Sequence, residues 1–162
     1  MKTSVICSGL IGVALLLAGC IMPMMGNGPR APIAQSYQSN GEQIYFTATS
    51  QRGDPITFTM TGGRGMMGRG GMMGGMMACA TCHGGDGRGG QIWMMMTTFV
   101  APDIRYKTLT TEEDPAYTDE TIKRAITEGT DPAGNALEWP MPHWSMSEAD
   151  LNDLIAFLKA LP

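Results

Sequence analysis

The segment Ala78-Cys79-Ala80-Thr81-Cys82-His83-Gly84-Gly85 decides how this chain is read. Cys79, Cys82 and His83 stand in the order C-x-x-C-H, the spacing of covalent haem attachment. Two thiols three positions apart on one helical turn can each form a thioether with a haem vinyl group. The adjacent histidine is then held under the ring with one nitrogen directed at the iron, and neutral imidazole is a good iron ligand. Two other chemistries use paired cysteines. A zinc site needs two more Cys or His ligands, and beyond the motif only His143 remains in the mature domain. A thioredoxin-like motif needs βαβ patterning around it, and none is visible.

The 162 residues accommodate one small domain and a targeting segment. The apolar fraction of 43% is ordinary, but it includes 16 Met and 22 Gly against only 4 Phe, so the packable core is small. A covalent haem would add a large apolar body to a core of that size. The formal charge of −4 gives no general affinity for nucleic acid. Residues 103–162 hold twelve acids against five bases, which reads as a solvated acidic surface.

At the N-terminus, Lys2 precedes a mostly apolar run from Val5 to Gly19. This has signal-peptide form and is shorter than the roughly 20 residues a spanning helix needs. The run ends Leu17-Ala18-Gly19-Cys20, which resembles the bacterial lipobox. The resemblance implies that residues 1–19 are a lipoprotein signal peptide and that Cys20 becomes the lipidated first residue of the mature chain. Ile21, not Asp, follows Cys20; by analogy with enterobacterial lipoproteins this points to the outer membrane. Residues 20–38, broken by Pro23, Gly26, Gly28, Pro29 and Pro32, read as a flexible membrane tether. With Cys7 in the leader, Cys20 lipidated and Cys79 and Cys82 on haem, no cysteine is left for a structural disulfide.

Four further stretches carry a family likeness across 39–162: Gly41-Glu42-Gln43-Ile44-Tyr45-Phe46, the glycine-rich Gly84-Gly85-Asp86-Gly87-Arg88-Gly89-Gly90, Ala101-Pro102-Asp103-Ile104, and Glu138-Trp139-Pro140-Met141-Pro142-His143-Trp144. Together with the motif they resemble the class I c-type cytochromes. The resemblance implies a mainly α, cytochrome c-like helical domain around one covalent haem c. It implies a first helix in which Gly41 and Tyr45 face the last helix. It also implies that Pro102 O accepts a hydrogen bond from His83 Nδ1, leaving Nε2 for iron. Helical signals agree. Thr118 caps a helix whose buried face is Ile122, Ala125 and Ile126 and which Gly129 ends. Ser147 caps a last helix to about Ala160, with Leu151, Leu154, Ile155 and Leu158 repeating at i, i+3, i+4, i+7.

The resemblance points to Met141 as the sixth ligand of the haem iron. Flanking Pro140 and Pro142 have fixed φ and no N–H, which stiffens an irregular loop. The rivals are His143, chemically the stronger ligand, Met94, Met95 and Met96 in the loop expected after the motif, and Met146. His/Met ligation raises the reduction potential and leaves no open site on iron. That favours an electron-transfer protein over an enzyme, exchanging single electrons with donor and acceptor proteins on the periplasmic side of a bacterial membrane. A haem enzyme such as a peroxidase would need an open iron.

The departure from the family is a Met/Gly-rich insertion, residues 47–78, between the first helix and the motif. Ile56-Thr57-Phe58-Thr59-Met60 predicts a short strand within it. Met66-Met67, Met72-Met73 and Met76-Met77 then form three pairs among glycines. Thioethers give adaptable apolar contact, which makes the segment a flap over the haem edge or a partner. They also select Cu(I), which leaves a copper-binding or redox-sensing haem lipoprotein as the alternative.

Overall fold

The structure is a computed structural model that describes residues 36–60, 68–69, 75–94 and 96–162. The leader 1–19, Cys20, the tether up to residue 35, and Met66, Met67, Met72, Met73 and Met95 lie outside the described residues. The described helices are α1 (Asn40–Thr47), α2 (Cys79–His83), α3 (Tyr106–Thr111), α4 (Asp119–Glu128) and α5 (Glu148–Ala160). Between them run short strands β1 (Thr57–Thr59), β2 (Gly68–Arg69), β3 (Gly90–Met94), β4 (Thr97–Ala101) and β5 (His143–Ser145). No helix among the described residues is long and apolar enough to cross a membrane.

Local sequence sets the helix ends. Thr118 caps α4 by accepting from Thr121 N, and the Thr121 hydroxyl caps Thr118 N in return. Gly129 closes α4 at φ 67°. Ser147 caps α5 by accepting from Asp150 N at 3.2 Å. The apolar stripe of α5 (Leu151, Leu154, Ile155, Leu158) is buried, as are Ile122, Ala125 and Ile126 of α4.

Helix α1 crosses α5 at Gly41. A Cβ at that position would lie 2.0 Å from Asp153 O and 2.9 Å from Phe157 Cβ, so only glycine allows the approach. One turn on, fully buried Tyr45 packs on Phe157 with ring centroids 5.1 Å apart.

The strands add to the expected helical plan. The strand expected at Ile56–Met60 is present as β1, and it pairs antiparallel with β5, Phe58 opposite Trp144. Both side chains are buried, 5.1 Å apart between centroids, so the segment after α1 contributes to the core. β3 and β4 form a separate antiparallel hairpin, with Ile92 opposite Phe99. The expected loop at Met94–Met96 is therefore the end of this hairpin: Met94 closes β3 and Met96 sits in the turn at φ 66°. The β-branched and aromatic residues Ile92, Trp93, Thr97, Thr98, Phe99 and Val100 account for the extended backbone.

Fully buried Asp150 ties the N-terminus of α5 to α1 and to the chain that follows α1. It accepts from Asn40 Nδ2 at 2.8 Å, Ser50 Oγ at 2.7 Å, Ser147 Oγ at 2.9 Å and Arg52 at 3.0 Å. Burial alone would raise this carboxyl, but the hydrogen bonds from Ser50, Asn40, Ser147 and Arg52 outweigh it and hold the pKa below the ordinary carboxylate value. A carboxyl with a depressed folded pKa contributes its full stabilisation above its unfolded value of about 4 and loses it as pH falls through the folded value. Thermal unfolding followed by circular dichroism should show the melting temperature falling as pH drops below about 4. Asp150→Asn should flatten that acid slope and cost roughly 1–3 kcal/mol at neutral pH.

Candidate haem site

The C-x-x-C-H motif forms the whole of α2, entered through a 3₁₀ turn at Gly75–Met77 and the fully buried Ala78. Cys79 and Cys82 are half-buried and in no disulfide, and His83 is buried at 6% exposure. The bond expected on the family pattern is present: His83 Nδ1 lies 2.9 Å from Pro102 O. A carbonyl can only accept, so Nδ1 carries the proton and donates, and Nε2 keeps its lone pair. Burial lowers the pKa of His83, an effect the Pro102 carbonyl partly opposes, and this favours the neutral imidazole.

Burial also pushes both thiols up, Cys79 to about 12. A redox C-x-x-C lowers the pKa of its attacking thiol, the reverse of this environment. Among the described residues no group of three or more His, Cys, Asp or Glu side chains comes together to hold a metal ion, so the zinc reading lacks its remaining ligands. The donor set fits haem c: two thiols on one turn, an adjacent buried imidazole with its second nitrogen fixed, and half-buried Met60, Ile104 and Met141 packed with Cys79 against one apolar core.

Three hydrogen bonds hold the end of α2 and the glycine-rich turn that follows it. Tyr45 Oη donates to Gly84 O at 2.6 Å, joining the α1–α5 contact to the end of the motif. Burial raises the Tyr45 phenol far above its ordinary pKa, so it remains a donor. Gly89 N donates to His83 O at 2.9 Å, and Ile104 N to Gly87 O at 2.8 Å. Gly89 sits at φ 69°, and a Cβ there would meet Ala101 O at 2.1 Å and Pro102 O at 2.5 Å. It is the position at which the Gly-rich turn passes directly over the carbonyl that His83 uses.

The other candidates separate clearly. Met141 is half-buried, its N–H donating to Glu138 O at 3.2 Å. His143 lies in β5 with its ring against Gly129, where a Cβ would be 2.0 Å from Nε2. Met146 is half-buried against the core, and Met96 is 84% exposed. Arg105 is held by the Asp103 carboxylate, and Tyr106 Oη donates to Asp119 at 2.8 Å. Trp144 is buried on Phe58, and Trp139 meets Phe99. The sequence alone marks neither the Tyr45 hydroxyl nor the special place of Gly89 as part of the site. The signals are an aromatic with a polar tip in a core stripe, and one glycine of the five in the run 84–90.

Gly89→Ala should displace Pro102 O and cost about 2 kcal/mol or more in denaturant unfolding, because collision adds to left-handed backbone strain of roughly 1–3 kcal/mol. Gly90→Ala, at φ 127° with nothing within 4 Å of the added Cβ, should cost only the strain. No curated protein and no solved structure shows a match to the chain. The family model described as Cytochrome c matches residues 72–162, more than half of the sequence and the stretch that holds Cys79, Cys82, His83, Pro102 and Met141, and the chain belongs to that family.

Proposed function

We propose that this member of the cytochrome c family is a monohaem electron carrier of the class I type. Cys79 and Cys82 would hold the haem as thioethers, and His83 Nε2 and the Met141 sulfur would ligate its iron. Family membership supplies the coarser part, covalent haem c and haem-based electron transfer. The observation that carries the finer part is the 2.9 Å bond from His83 Nδ1 to Pro102 O, which orients a buried imidazole beside both thiols.

When bound, the haem supplies reversible one-electron chemistry. The chain's residues do the rest. Pro102 keeps the proton on Nδ1, so His83 offers Nε2 without competition from a proton. Pro140 and Pro142 limit the freedom of Met141, whose thioether is a weak ligand and benefits from being held near its bonding position. The case for Met141 over His143 is that Met141 sits between the prolines and packs on the core that Cys79 joins, whereas the His143 ring is occupied against Gly129. With both side chains on the iron, no position there would be left for a substrate, which suits a carrier better than a catalyst.

The proposed setting is the periplasmic side of a bacterial membrane, with Cys20 lipidated and residues 20–38 as the tether. Soluble or membrane-bound redox proteins would be the electron donor and acceptor. Lipidation rests on Leu17-Ala18-Gly19-Cys20 following the apolar run.

The oxidised protein should show the weak sulfur-to-iron absorption band at the red end of the visible spectrum and a reversible one-electron wave in voltammetry. Met141→Leu should abolish the band. Met141→His should lower the reduction potential by a few tenths of a volt, within the roughly 0.8 V that axial ligation commands. A band that survives Met141→Leu assigns the sixth position to another side chain.

A further inference from the structure

The β3–β4 hairpin links the carbonyl that His83 uses to the stretch that begins at Trp139. β4 runs straight into Pro102, the residue whose carbonyl accepts from His83 Nδ1. Three residues before Pro102, Phe99 meets Trp139 edge to face, with ring centroids 5.1 Å apart and planes at 74°. Trp139 opens the stretch Trp139-Pro140-Met141-Pro142. One short strand therefore supports the histidine at its end and the methionine loop at its middle.

The two faces of the hairpin differ. Side chains alternate along each strand. Ile92 and Phe99, a cross-strand pair, share the half-buried face, while Trp93 at 75% exposure and Val100 at 74% occupy the opposite one. The base of the hairpin is fixed, since Gly89 N donates to His83 O. The methionine loop, by contrast, has two prolines without N–H groups to pair, so side-chain contacts carry more of its anchoring.

We infer that the β3–β4 hairpin is a positioning device for the sixth ligand: the Phe99–Trp139 contact holds the 139–142 loop, and the same strand fixes His83 through Pro102. This rests on the proposal that Met141 is that ligand. Neither aromatic residue touches the iron; both act through the loop. Loss of the pair should raise the fraction of molecules with Met141 detached. Exogenous ligands that displace it should then bind more tightly by roughly two- to tenfold, the range one aromatic pair supplies.

The test uses the full haem-loaded protein in its oxidised form and titrates imidazole, reading both the sulfur-to-iron band and the imidazole affinity. Phe99→Leu and Trp139→Leu should each bind imidazole roughly two- to tenfold more tightly, and the double variant should gain little over either single one. Trp139→Phe, which keeps a ring, should stay near the parent. Trp93→Leu, on the opposite face of the same hairpin, should not change the affinity. Unchanged affinity in Phe99→Leu and Trp139→Leu overturns the inference, as does an equal rise in Trp93→Leu, which would mean general loosening of the hairpin. Should Phe99→Leu fail to fold, Trp139→Leu against Trp139→Phe decides alone. Met141→Leu separates the two levels. If it leaves the band in place, the ligand assignment fails and the inference with it. If it removes the band while Phe99→Leu and Trp139→Leu bind imidazole like the parent, only the inference fails.

Discussion

The rest of this structure depends on the close approach of α1 to α5, which the missing side chain of Gly41 permits. A Cβ there would fall 2.0 Å from Asp153 O, well inside any tolerable contact. With the helices this close, Tyr45 is sealed against Phe157 and its hydroxyl reaches Gly84 O at the end of α2. From Gly84 the chain turns under the motif to Gly89, which lies against Pro102, and Pro102 O accepts from His83. A single steric condition between two helices is thus passed through one phenol and one glycine-rich turn to the imidazole. Asp150 secures the same crossing at its other end by gathering Asn40, Ser50, Arg52 and Ser147.

How much of this was legible in the sequence follows from the range of each interaction. Helix ends are local: Thr118, Gly129 and Ser147 act within three or four residues of themselves, and all three stand where the sequence placed them. The motif is local too, since its spacing is the chemistry. The His83–Pro102 bond spans 19 residues and was foreseeable only through a family likeness. The pairing of β1 with β5 joins Phe58 to Trp144 across most of the domain, and three-residue strands are too short for alternation to show. The hairpin lacked an Asn-Gly or Asp-Gly turn, and its run of methionines masked the β-forming residues on either side. Asp150 is the extreme case: apart from Ser147 its partners lie about a hundred residues away, and nothing local marks a helix-capping acid as a buried hub.

The family match covers residues 72–162, whereas Tyr45, Phe58 and the partners of Asp150 other than Ser147 lie before it. The match accounts for the chemistry of attachment; the preceding segment accounts for much of how that chemistry is held still. Rigidity of this kind suits electron transfer, in which the ligands should move little between oxidation states. It also explains why the additions to the helical plan are strands: β1 and β5 pin the chain that leads to the last helix, and β3–β4 reaches from the proximal carbonyl to the methionine loop.

The proposed site holds one haem, bound covalently to Cys79 and Cys82. The intact mass of the purified protein, measured after denaturation and extraction with acidified organic solvent, tests it most directly. The account predicts a chain heavier by one haem, a gain that withstands extraction and disappears when both cysteines are replaced by alanine. A chain of unmodified mass, with haem recovered in the solvent, or a gain of two haems, would contradict it.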